Sequence, residues 1–94
     1  MSARRFASVW DAIEHTPADA AAMKARADLM MAIREIVDGW NFTQAVAAKR
    51  LGITQPRLND LLRGRINKFS LDALMSIAVH AGLSVRVRVV RSAA

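Results

Sequence analysis

Apolar side chains recur along most of this chain at steps of three or four residues, the spacing that gathers them on one face of an α-helix. Near the end the step falls to two. Phe6, Val9, Trp10 and Ile13 follow the helical step, with Asp11 and Glu14 off the stripe, and predict a short amphipathic helix before Pro17. Thr16-Pro17-Ala18-Asp19 then reads as a helix start: a threonine cap, proline where its missing N–H is not needed, and an acid near the positive end of the helix dipole. Met23, Ala27, Met30, Ile33, Val37 and Trp40 continue at helical steps, so a long amphipathic helix is expected, ending around Gly39 and Asn41.

The stretch from Thr43 to Arg65, TQAVAAKRLGITQPRLNDLLRGR, predicts two short helices joined by a tight turn. Thr43 caps the first, which runs over Gln44 to Leu51 with three alanines and no breaker. Gly52 supplies the positive φ that such a turn needs. Thr54 caps the second, and Pro56 falls in its first turn. Ala48 sits where the two helices cross and only a small side chain fits. Leu51, Ile53, Leu58, Leu61 and Leu62 form the apolar side. Farther on, Ser70 caps a helix that turns Leu71, Leu74, Met75, Ile77 and Ala78 inward and stops at Gly82. From Ser84 to Arg91, Val85, Val87 and Val89 alternate with Arg86, Arg88 and Val90, the period of a β-strand.

These elements predict one mainly α domain over residues 1–94: a bundle of four to five helices with an N-terminal extension (1–16), a helix-turn-helix (43–65) and a C-terminal strand (84–91). A lone strand leaves its backbone groups unpaired. Its expected partner is the same strand of a second subunit about a two-fold axis, with residues near Arg4 to Ala7 as the alternative.

Two helices joined by a glycine turn are the arrangement that places the second helix in the major groove of DNA. At about 100° per residue, Leu58, Leu61 and Leu62 share one side of that helix, which turns Pro56, Asn59, Asp60 and Arg63 outward, flanked by Gln55 and Arg57. Glutamine, asparagine and arginine make hydrogen bonds to base edges, and a carboxylate accepts from cytosine N4. Asp60 either does that or pairs with Arg57 or Arg63.

Charge strengthens this reading. The 94 residues carry a net charge of +6, and it is unevenly placed. Residues 1–48 hold five basic and six acidic side chains, a balance of −1, whereas residues 49–94 hold nine basic and two acidic, a balance of +7. The positive half begins inside the motif and includes Arg63, Arg65 and Lys68 after its second helix, which favours a polyanionic partner. The basic residues do not share a helix with a large lipid-seeking face, so nucleic acid is preferred to a membrane. No cysteine is present, which excludes disulfides and thiolate zinc sites. No apolar run approaches membrane-spanning length and the first residues lack the apolar core of a secretion signal, so a soluble cytoplasmic protein is expected.

SVWDAI, ADLMMAI, FTQAVAAKRLGITQPRLNDLLRGR, FSLDALMSIA and the valine-rich end together resemble the short Cro/repressor-type (XRE-like) helix-turn-helix antitoxins of type II toxin–antitoxin modules, the HigA-like partners of RelE/HigB-like ribonuclease toxins. The resemblance covers nearly the whole chain, and RLNDLLRGRINKFSLDAL is its more discriminating part. It implies a Cro/repressor-like fold and a homodimer that binds a palindromic operator, represses its own operon and neutralises a small toxin protein. It also implies that Gln44 contacts phosphate at the start of the first motif helix, and that Gln55, Pro56, Arg57, Asn59 and Asp60 face the groove. The interface expected from motif, charge and resemblance is therefore Thr43, Gln44, Thr54, Gln55, Pro56, Arg57, Asn59, Asp60, Arg63, Arg65 and Lys68. A free-standing or phage-type regulator without a toxin is the alternative.

An enzyme is not expected, and no cofactor or metal site is. His15 and His80 lie far apart in sequence, and neither paired carboxylates nor a phosphate-cradling loop occurs. The aromatic stripe of Phe6 and Trp10 belongs either to the core or to a docking helix for a partner protein.

Overall fold

The computed structural model describes residues 16–93. The expected N-terminal helix, with Phe6, Val9, Trp10 and Ile13, lies outside them, as does the Arg4 to Ala7 alternative for strand pairing.

Among the described residues four α-helices follow in order: α1 (Pro17–Asp38), α2 (Gln44–Leu51), α3 (Gln55–Leu62) and α4 (Leu71–His80), with one 3-10 turn (Ile66–Lys68) between the last two. Each α-helix begins at a hydroxyl that accepts from a backbone N–H three residues on: Thr16 from Asp19 at 3.0 Å, Thr43 from Val46 at 3.2 Å, Thr54 from Arg57 at 3.3 Å and Ser70 from Ala73 at 3.1 Å. A cap of this kind satisfies one of the donors that the first turn leaves without a partner.

The helix ends divide into two kinds. Gly52, Gly64 and Gly82 stand at φ 73°, 71° and 87°, where a side chain is strained. After Gly52 and Gly82 the chain folds back so that Ile53 N–H donates to Ala48 O at 3.0 Å and Leu83 N–H to Ala78 O at 2.9 Å. Gly39, by contrast, ends α1 in ordinary right-handed geometry at φ −79°. Trp40, expected on the helical stripe, therefore lies just past the helix, half-buried against the core.

All four helices meet in one core. Ile33 of α1, Leu51 of α2, Leu58 and Leu61 of α3, Phe69 and Leu74 are its largest fully enclosed side chains. Ala47 and Ala48 let α2 approach its neighbours closely, and Ala78 does the same for α4. Met30, Val37 and Ile77 complete the packing around them. Met23 and Ala27, placed by spacing on the buried face, are only half-buried, because the first turns of α1 have nothing packed over them among the described residues.

The C-terminal strand is the expectation that this structure corrects. Among the described residues there is no β-strand, and residues 83–91 follow α4 without ladder bonds to any of them. The reason is physical: the alternating pattern prepares a strand, but a strand exists only through hydrogen bonds to a neighbour. No described segment of the chain supplies one. Val87, Val89 and Val90 stay 76%, 88% and 68% exposed.

Candidate nucleic-acid interface

The eight residues of α3 divide cleanly. Leu58 and Leu61 are completely buried, which fixes the roll of the helix about its axis. The opposite side then presents Gln55 and Pro56, which are exposed, with Asn59 and Asp60 half-buried beside them and exposed Arg63 at the C-cap. Among the described residues, the side chains of Gln55, Asn59 and Arg63 have no protein partner and remain available to a ligand.

Arg57 behaves differently. Its guanidinium lies 4.3 Å from the ring centroid of Phe69 and its Nη1 donates to the backbone oxygen of Lys68 at 2.7 Å. The side chain thus bridges α3 to the segment after the 3-10 turn instead of extending away from the helix. The arrangement holds Lys68, whose side chain is exposed, in a fixed place relative to α3.

Asp60 pairs with Arg65, Oδ1 to Nη1 at 3.2 Å, and not with Arg57 or Arg63. The α3 end explains this choice. Gly64 turns the chain so that Arg65 N–H donates to Asp60 O at 3.0 Å, which brings the two side chains together. The pair offsets the one negative charge of this surface, and leaves Arg63 and Lys68 as its unpaired cations among the described residues.

At the start of α2, Gln44 is exposed, while Thr43 and Thr54 direct their hydroxyls to capping. Pattern and spacing found the capping threonines and the outer face of α3. They missed Arg34, on α1, whose Nη1 lies 3.2 Å from where a side chain at Gly64 would begin. It adds a positive charge beside the end of α3. Its signal was a basic residue next to the buried Ile33, readable only once α1 and α3 are packed together. Arg50, too, was not among the residues singled out by pattern and spacing. It stacks over Trp40 at 5.4 Å and Phe42 at 5.6 Å, two rings that are themselves 5.2 Å apart.

Among the described residues no group of His, Asp or Glu could hold a metal ion, and no helix is long and apolar enough to cross a membrane.

Residues 13–90 match the family described as the helix-turn-helix domain. The chain belongs to that family. A solved structure described as an XRE-family transcriptional regulator superposes with a TM-score of 0.71 at 28% identity, over 80% of this chain and 84% of that one. No curated protein matches the chain. The matched residues include α2 and α3 with the Gly52 turn, and α1 and α4, which pack against them.

Proposed function

We propose that this chain is a sequence-specific DNA-binding transcriptional repressor, with α3 as its recognition helix. The observation that carries the reading is the division of α3: two leucines fully buried on a helix-turn-helix frame, and on the opposite side exposed Gln55 and Arg63 with half-buried Asn59 between them, none with a protein partner among the described residues. Gln55, Asn59 and Arg63 read base edges, and Pro56 packs against the groove wall. Gln44, Lys68 and the backbone around Thr43 and Thr54 meet phosphates. Arg57, Asp60 and Arg65 shape this surface. Relatedness to an XRE-family regulator supports the same function.

The protein acts in the cytoplasm as a homodimer on a palindromic operator, with half-sites roughly 34 Å apart when one helical turn separates them. Val87, Val89 and Val90, exposed at strand spacing, are read as pairing with the same stretch of a second copy. The resemblance to HigA-like antitoxins further assigns a small RelE/HigB-like toxin as partner, with the repressed operon encoding both.

Two experiments test this. Selection of binding sites from random duplexes followed by a mobility-shift assay is expected to return a palindrome, and recovery of no preferred sequence would overturn the repressor reading. A tagged pull-down with nuclease and about 0.5 M salt, which screens weak charge contacts, is expected to recover one small protein in equal amount. Recovery of the chain alone assigns a free-standing regulator.

A further inference from the structure

Arg34 stands on α1, outside the two helices of the motif, and is half-buried next to the enclosed Ile33. Its Nη1 reaches to 3.2 Å from the point where a side chain at Gly64 would begin. Gly64, at φ 71°, follows the C-cap of α3, so the guanidinium crosses from one helix to the end of another. It finds no acid there. Asp38 lies one turn farther along α1, at the i, i+4 spacing that suits an ion pair, and Arg34 does not take it. The ion pairs among the described residues are Lys24 with Asp28 and Arg65 with Asp60.

The surroundings make an unpaired cation unfavourable in the free protein. Arg63 and Arg65 flank Gly64 in sequence, and the backbone of Lys68 is tied to α3 through Arg57. Asp60 is the carboxylate of this surface among the described residues, and Arg65 holds it at 3.2 Å. Half-burial also removes part of the water that would screen repulsion between the arginines. A guanidinium placed so, with its fork of donors unused among the described residues, fits an oxyanion brought from outside.

Dimensions identify the anion. The eight residues of α3 span about 12 Å at about 1.5 Å per residue, close to the width of the major groove, about 12 Å. A helix that sets Gln55 and Asn59 against base edges therefore brings its C-terminal end to the groove wall, which is sugar and phosphate. We infer that Arg34 grips a backbone phosphate of the DNA at that end of α3, a contact made from α1 that sets how α3 enters the groove. The inference rests on the proposed reading of α3 and adds to it a residue that positions the helix without reading sequence. Gly64 then serves twice, since its missing side chain also leaves the guanidinium room.

The test is equilibrium binding to the selected operator and to a random duplex across a range of salt, for wild type, Arg34→Gln and Arg34→Lys. Each phosphate contact contributes about −0.9 to the slope of log K against log salt concentration. Arg34→Gln is expected to lose that much per bound copy on both duplexes. Raising salt from about 50 to about 200 mM then weakens it roughly three-fold less per contact than it weakens wild type. Arg34→Lys is expected to restore the slope but bind less tightly, because it lacks the fork. A scan with single neutral methylphosphonate linkages should find a position where neutralisation weakens wild type several-fold and leaves Arg34→Gln unaffected. An unchanged slope for Arg34→Gln, or no such position, overturns the inference and leaves the repressor reading standing. A loss confined to the operator overturns it as well, by making Arg34 a base reader. Should Arg34→Gln melt too low to assay, Arg34→Lys decides in the same scan: equal losses to wild type at every linkage overturn the inference. A wild-type chain that binds neither duplex removes the proposed function and this contact together.

Discussion

Replacing Arg57 by alanine separates two roles that an arginine on a recognition helix can have. In the free protein its guanidinium stacks on Phe69 at 4.3 Å and donates to the Lys68 carbonyl at 2.7 Å. A cation–π contact at a partly exposed site is worth about 0.5–1 kcal/mol. A hydrogen bond from a charged donor is worth about 1.5–3 kcal/mol, and water recovers much of it at an accessible carbonyl. Together the loss comes to about 1–2 kcal/mol. For a domain of this size each kcal/mol lowers Tm by roughly 4–8 °C, so a fall of about 5–15 °C is expected in thermal unfolding followed by circular dichroism. Arg57→Ala and Phe69→Leu together should fall short of the sum of the single losses, because both remove the same contact. In mobility-shift assays with operator and random duplexes, Arg57→Ala is expected to weaken both by similar factors, since what changes is the placement of Lys68. An unchanged Tm combined with a loss confined to the operator would refute this reasoning, and would mean that Arg57 leaves Phe69 to read a base.

Three further outcomes are expected. Gly52→Ala puts a side chain at φ 73° and should destabilise by about 1–2 kcal/mol in urea titrations, whereas Gly39→Ala, at φ −79°, should be neutral or gain up to roughly 1 kcal/mol; equal effects would contradict the assignment of the two turns. Asn59→Ala should cost about 1–3 kcal/mol on the operator and little on random DNA, while Lys68→Ala weakens both alike and lowers the salt slope by about one; the reverse pattern would exchange their roles. Val87→Pro removes a donor from the proposed inter-subunit ladder and should give monomers by light scattering, a result that an unchanged mass would exclude.

The parts of this fold that local chemistry determines could be read in the sequence. A hydroxyl before each helix and a glycine after α2 and α4 act within a few residues of themselves, and the spacing of Leu58 and Leu61 fixed which side of α3 is buried. What escaped were features that need two distant segments at once. Arg57 meets Lys68 and Phe69 from eleven and twelve residues away, Asp60 chose Arg65 because of a turn at Gly64, and Arg34 reaches that turn from another helix. The C-terminal valines show the limit from the other side. Their alternation has the period of a strand, but the pattern carries no information about whether a neighbour is there to pair with it.

The division of α3 also bears on how such a protein changes its target over generations. Gln55, Asn59 and Arg63 can be exchanged without opening a cavity, since the residues that anchor the helix, Leu58 and Leu61, contribute nothing to the outer side. On the proposed reading of this surface, new operator preferences are therefore accessible by substitutions that leave folding nearly untouched. Arg57 is the exception. Because it ties the helix to Phe69, a lineage that altered it would change specificity and stability in the same step, so drift in operator preference should proceed through its neighbours first.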